Sequence, residues 1–325
     1  MEKKIVLLQL LSLFQQHTDE THPMTVKQII DFFKNEHQTE ITRQTIYNSV
    51  KILNEANYMI ESSGRKKGYY YDNRLLEKSE VMFISHSIIA NNIIPLNQSN
   101  ELIQKIMNTQ SDYFKQGFKN NLNLCNLDKK ENQDIFLNVE LLSDAIDTLK
   151  EVSFRYTTYN YDKEMVYKNE KIYQVIPRFI LCKESKMYLV GEDKEYHQQR
   201  QYRLDRIRNL EISNQCFSSY EQDAYSYAKN RHYMYAGEML EVKLKCCRSM
   251  LDEVVERFGK DSNIVPINDD YFYVDTKMTY HAAIFFACQF IQYTQIIEPE
   301  EIKQDIQSIL QDAQNKYNNH NKEGN

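Results

Sequence analysis

Tyr188, Arg200, Arg203 and Arg206, with Arg178 a little upstream, bring guanidinium groups and an aromatic ring into one short stretch of the chain. A guanidinium offers paired N–H donors that match phosphate oxygens, and a tyrosine adds a flat ring and a hydroxyl. Together they suit a nucleotide or a single-stranded nucleic acid, held by stacking and phosphate contact. From Lys171 to Arg208 the basic residues outnumber the acidic ones although the chain has a formal charge of −6, so the positive field is local. A plainer reading has the same arginines as solvated strand edges, or as partners of Asp205 and the acidic loops.

A second set lies near the start of the chain. Arg43, Gln44, Thr45, Tyr47, Asn48 and Lys51 surround the apolar positions Ile46, Val50 and Leu53, which recur at helical spacing. Arginine, glutamine and asparagine on such a helix can read base edges in the major groove. The basic run Arg65, Lys66 and Lys67 lies between Gly64 and Gly68, where it can meet phosphate from a hairpin tip.

Catalytic signatures are missing. No Walker loop, Rossmann glycine pattern, HExxH or GxSxG occurs, so no catalytic residue is assigned and the chain is not expected to be an enzyme. The six cysteines show no CxxC pair and no zinc-like spacing, which predicts reduced packing cysteines, no metal and no cofactor. The opening MEKKIVLLQLLSLFQQ is interrupted by glutamine and serine at helical spacing, and it reads as an amphipathic helix rather than a signal peptide. With no apolar run of about 18 residues, no membrane span is expected and a cytoplasmic location follows.

These groups need elements to hold them. Helices are expected at Lys4–Gln16, at Val26–Asn35 behind a Thr25 cap, and from Thr42, followed by strands Tyr58–Ser62 and Tyr69–Asp72. Three helices and a basic hairpin are the order of a winged helix-turn-helix, assigned to residues 1–74. A helical linker, with helices at Glu77–Asn91 and Gln98–Asn108, takes 75–133, and its polar segment 120–133 marks the boundary. Next, a helix Val139–Lys150 leads into alternating strands at Val152–Tyr156, Ile172–Leu181, Met187–Gly191, Gln198–Leu204 and Asn209–Ser213. Arg200 and Arg206 share strand parity here, whereas Arg203 faces the other way unless the strand ends or bulges. The last part, 238–317, reads βαββαβ with an extra helix, the order of a ferredoxin-like unit. The fold class is therefore multidomain α+β.

Pro177, the strand Met187-Tyr188-Leu189-Val190-Gly191 and the run Arg200-Gln201-Tyr202-Arg203-Leu204-Asp205-Arg206-Ile207 resemble the WYL domain of bacterial transcription regulators. Met187 stands where that family has the tryptophan of its name, and Tyr202 where it has phenylalanine. The resemblance implies an SH3-like β-barrel at 134–215, followed by the C-terminal extension that often accompanies it. It also implies that an anionic ligand, bound by Tyr188, Arg200, Arg203, Arg206 and Arg178, controls an attached DNA-binding domain. The partners expected are a double-stranded DNA operator, a nucleotide or single-stranded nucleic acid, and a second copy of the chain, because helix-turn-helix proteins commonly read two half-sites. The alternative is a non-transcriptional nucleic-acid-binding or protein-adaptor module with a degenerate sensor.

Overall fold

The structure is a computed structural model that describes residues 3–64, 68–121, 132–183, 185–218, 224–231 and 233–320. It divides into two compact units, Met1–Gln133 and Asp134–Asn325.

The first unit runs α1 (Lys3–His17), α2 (Val26–Glu36), α3 (Arg43–Glu55), β1 (Ile60–Ser62), β2 (Tyr69–Tyr71), α4 (Lys78–Ala90), α5 (Leu96–Met107) and α6 (Asp112–Asn121). Thr25 and Gln28 form a reciprocal capping box that starts α2, and the Thr42 hydroxyl accepts the Thr45 N–H at 3.2 Å to start α3. The inward stripes meet in one core of Leu10, Leu13, Phe14, Ile29, Phe33, Ile46, Val50, Leu53 and Ile60. A second cluster, Val81, Ile103, Met107 and Phe118, joins α4, α5 and α6. Helix α6 was not expected from the sequence; its Phe114 and Phe118 supply the apolar side, but flanking polar residues mask the period. Most of the expected boundary at 120–133 lies outside the described residues.

Buried polar groups tie this unit together. Arg74 donates to the carbonyls of Gln15 at 2.9 Å, Thr18 at 2.7 Å and Thr109 at 3.0 Å. Asp19, 4% exposed, accepts from the Ser111 hydroxyl at 2.6 Å and from Thr21 and His22. The α1–α2 connection is stitched to the hairpin by paired Met24 and Tyr69 backbone bonds of 2.9 and 2.8 Å.

The second unit begins with α7 (Ile135–Asp147) and continues β3 (Lys150–Tyr159), β4 (Met165–Tyr167), β5 (Tyr173–Lys183), β6 (Lys186–Asp193), β7 (Gln198–Arg203), a 3-10 turn at Leu204–Arg206, and β8 (Ile207–Cys216). These strands form an antiparallel sheet in the order β4-β3-β5-β6-β7, with β8 paired to β3. The sheet curls into a half-barrel, and no β7–β8 pairing is found among the described residues. Strand β4 was not anticipated. The terminal strand is longer than the expected Asn209–Ser213, because pairing along β3 extends it in both directions. Pro177 pairs with Gly191 where the register shifts, so the missing proline N–H falls at a bulge.

After α8 (Ala224–Asn230), which packs on β5, come β9 (Met239–Cys247), α9 (Leu251–Phe258), β10 (Asn263–Pro266), β11 (Tyr271–Thr279), α10 (Tyr280–Gln289), β12 (Thr294–Glu298) and α11 (Glu300–His320). The second sheet has the order β10-β11-β9-β12, with every neighbour antiparallel. Helices α9, α10 and α11 cover one of its faces through Val254, Phe286 and Ile302. Among the described residues no helix is long and apolar enough to cross a membrane.

Gly68 holds φ at +104°, and a Cβ there would collide with the Met24 backbone. Gly64, at φ +98°, faces open space. Gly68→Ala is therefore expected to cost about 1–3 kcal/mol in urea unfolding and Gly64→Ala less, since only backbone strain acts at the second position.

Candidate functional site

Helix α3 turns Ile46, Val50 and Leu53 into the core and leaves Arg43, Gln44, Tyr47, Asn48 and Lys51 exposed. Residues four apart stack on one face, so Arg43, Tyr47 and Lys51 form one row and Gln44 and Asn48 another. The Gln44 amide donates to Asn48 Oδ1 at 3.0 Å, which pre-orients two hydrogen-bonding groups. Lys51 lies 3.8 Å from Glu55. Thr45 is half-buried and committed to the helix start, its hydroxyl 2.9 Å from that of Thr42. Ile52, 48% exposed beside Lys51, did not stand out in the sequence. Arg65, Lys66 and Lys67 lie outside the described residues.

In the half-barrel, the regular pairing of β6 with β7 decides which arginines meet. Tyr188 lies opposite Arg203 and Gly191 opposite Arg200, so Arg203 shares the Tyr188 face and Arg200 points to the other. Tyr188 itself is only 8% exposed. Arg203 grips Asp205 with two bonds, Nε to Oδ1 at 3.1 Å and Nη2 to Oδ2 at 2.8 Å, and its N–H donates to the Tyr156 hydroxyl oxygen at 3.1 Å. Burial works against the Arg203 charge, but the Asp205 bonds outweigh it and hold its pKa up.

Strand β7 ends at Arg203, and the 3-10 turn carries Arg206 round toward Tyr156. Among the described residues Arg206 makes no ion pair, and its Nε is buried without a hydrogen-bond acceptor. Burial raises the Tyr156 pKa, opposed by the Arg203 N–H and by the Arg206 charge. Tyr156, Tyr188, Arg203, Asp205 and Arg206 therefore form one cluster.

The remaining two arginines lie apart from it. The Arg200 guanidinium stacks 3.9 Å from the Tyr196 ring centroid. Arg178 pairs with Glu192 at 3.1 Å and sits 5.4 Å from the Phe217 centroid. Met187, at the strand position of the absent tryptophan, is half-buried and pairs across to Cys182.

Sequence reasoning did not single out Asp193 or Tyr156. Asp193 is 1% exposed and accepts the Tyr202 hydroxyl at 2.6 Å and the Glu195 N–H at 3.0 Å. Its position ahead of a polar turn was the available signal, since an aspartate there often accepts turn N–H groups. Burial opposes its charge, yet the bonds from Tyr202 and the turn hold its pKa below the ordinary value. Burial and the adjacent carboxylate in turn push the Tyr202 hydroxyl up. The Tyr202 ring packs edge-on to Phe154, Tyr156 and Tyr173 at centroid distances of 5.1, 5.8 and 5.7 Å.

Comparison with protein families matches residues 138–212 to the WYL domain. The curled sheet of this second unit is thus the body of a WYL domain, and the chain contains one. No curated protein matches the chain. Among solved structures, proteasome accessory factor B/C (PafBC) of Arthrobacter aurescens is similar at 15% identity and a TM-score of 0.28, over 94% of this chain and 47% of that one. The present chain spans under half of that protein's length. A CRISPR Cas-related protein is similar at 14% identity and a TM-score of 0.37, over 98% of this chain and 81% of its own.

Tyr202→Phe leaves a buried carboxylate short of one donor and is expected to cost about 1–3 kcal/mol near neutral pH. Because the folded-state pKa of Asp193 is depressed, its contribution is present above the unfolded value of about 3.9 and is lost as pH falls. The stability gap between wild type and Tyr202→Phe should therefore narrow below about pH 4, as read by denaturant midpoints at stepped pH.

Proposed function

We propose that the chain is a transcription regulator that binds double-stranded DNA through α3 and the basic hairpin, under the control of a ligand bound by its WYL domain. The observation that carries this reading is the outward face of α3. Arg43, Gln44, Tyr47 and Asn48 stand clear of the core on a capped helix, in a chain that also contains a WYL domain. In this reading the first five elements act as a winged helix-turn-helix, with Arg43, Gln44 and Asn48 at base edges and the Arg65–Lys67 tip on phosphate. The half-barrel and the following sheet correspond to an SH3-like barrel and a ferredoxin-like extension.

The ligand is a nucleotide or a single-stranded nucleic acid. Arg206 supports this, since its guanidinium has no carboxylate partner among the described residues and lies beside Tyr156 and Arg203. Arg203 is already bound to Asp205, so it positions the cluster, while Arg200 and Arg178 flank it at a distance. The regulator acts as a homodimer on paired half-sites, in the cytoplasm, and performs no catalysis. Exposed Ile52 on α3 favours a second reading, an adaptor whose helix meets a protein partner.

Genome-wide occupancy followed by binding to the recovered sequences separates the two readings. Discrete promoter sites are expected. Arg43→Ala combined with Lys51→Ala should weaken binding at least about tenfold and lower the salt slope by about 2. Diffuse occupancy, or affinity indifferent to both substitutions, would falsify the DNA-reading assignment. Arg206→Ala should abolish the effect of added nucleotide or oligonucleotide on DNA affinity, and an unchanged effect would remove Arg206 from the sensor.

A further inference from the structure

Helices α9, α10 and α11 cover one face of the second sheet; on the other, among the described residues, Tyr271 is exposed and Lys243, Lys245 and Tyr273 are half-buried. Alternation sends Val242, Leu244, Cys246, Phe272, Val274 and Met278 toward the helices. Lys243, Lys245, Tyr271 and Tyr273 therefore lie on the opposite face, on the two central strands β9 and β11. Tyr273 pairs directly with Lys245, and Tyr271 with Cys247. Tyr271 keeps 37% of its surface, and Val265 beside Tyr273 on β10 keeps 47%.

Charge on this face is unevenly spread. At one end Glu241 pairs with Lys277 at 2.7 Å; Asp275, directly across from Lys243, accepts from the Asn263 amide at 2.8 Å, and Glu298 of β12 is in register with Lys243 on its other side. Toward the tyrosines, Lys243 and Lys245 form no ion pair among the described residues. Their ammonium groups rest instead 5.3 Å and 4.5 Å from the Tyr273 and Tyr271 centroids. Asp269 and Asp270 lie beyond, on the β10–β11 turn. A cavity of about 490 Å³ adjoins the tyrosine end, lined in part by Lys245, Tyr271, Tyr293, Gln295 and Lys303.

We propose that this face binds single-stranded nucleic acid, with bases stacked on Tyr271 and Tyr273 and phosphates held by Lys243 and Lys245. A four-stranded sheet with exposed aromatics stacks unpaired bases in this way, and a duplex cannot use it because its bases are already stacked. Lysines resting on the rings can exchange a weak cation–π contact for a phosphate without a change in the backbone. The cavity beside Tyr271 has the size for one further base, lined by Lys245 and by the apolar Ala287, Ile291, Ile296, Ile306 and Leu310, while Lys303 at its edge is held by Glu300 at 2.9 Å. This surface is separate from the Tyr156–Arg206 cluster and does not rest on the sensor reading.

The 325-residue chain is titrated with fluorescein-labelled oligothymidylate and oligouridylate. In parallel it is irradiated with strands carrying 5-iodouracil, which couples to an aromatic ring stacked on it. Crosslinks at Tyr271 or Tyr273 are expected. Alanine at both should abolish the crosslinks on this face and remove the binding component that they report, leaving any component crosslinked to the half-barrel, whereas phenylalanine at both should preserve it. Lys243→Gln with Lys245→Gln should lower the salt slope by about 1.4. The tighter of the two strands tells whether DNA or RNA is the natural source. Crosslinks confined to the half-barrel would leave the sensor standing and overturn this site, as would failure of both strands to bind. A shift in sedimentation of the Tyr271→Ala, Tyr273→Ala protein without crosslinks in the wild type would give the face to a second copy and also overturn the proposal.

Discussion

A buried carboxylate sets the register of the half-barrel. Asp193 closes β6, and its side chain takes the Glu195 N–H at 3.0 Å while its carbonyl takes the His197 N–H at 2.8 Å, so the turn into β7 has one defined length. The Tyr202 hydroxyl then fastens β7 to the same carboxylate. A slip of one residue would send every β7 side chain to the other face and take the Tyr202 hydroxyl away from the buried Asp193 carboxylate. The pairing of Tyr188 with Arg203 and of Gly191 with Arg200 follows from this lock. So does the separation of Arg200 from the cluster around Tyr156.

The first unit uses the same kind of constraint. Asp19 is held by Ser111, Thr21 and His22, and although burial opposes its charge, these bonds keep its pKa well below the usual carboxylate range. Arg74 reaches three backbone carbonyls from the segment that follows the hairpin. These bonds join the end of α1 to the connection between α5 and α6. Buried charges of this sort carry strong orientation requirements, because a displaced partner leaves a desolvated group behind. They hold the body of the unit while α3, fixed by its own cap and core, presents its polar rows outward.

The two sheets of the second unit treat their faces differently. In the half-barrel, α7 and the aromatic cluster fill one side, and α8 covers part of the other through Tyr227 against Phe179, Leu181 and Val190. Tyr188 is consequently almost closed to solvent, while Arg206 and Tyr156 are half-buried. In the sheet of β9 to β12 all the helices lie on one side, so the aromatic and basic residues of the central strands remain available. The same residue types that are structural in one sheet are therefore surface groups in the other.

Sequence alone determined the elements whose period is strong. The stripe Ile46, Val50, Leu53 already implied that Arg43, Tyr47 and Lys51 share the outer side of a helix, and the alternation through Leu244 and Cys246 implied a strand with one covered face. Local spacing suffices there because each pattern is read within a single element. Short β4 and polar-flanked α6 carried too few periodic residues to be seen. Tertiary structure alone decided which arginines meet: Arg203 turns back on Asp205, Arg206 is swung round by a 3-10 turn, and Arg200 stacks on Tyr196. It also decided that Tyr202 needs its hydroxyl, because the partner Asp193 belongs to another strand. Strand parity assigns a side chain to a face, whereas partnership depends on register and on the turn between strands, and those are set by contacts that no single stretch of sequence contains.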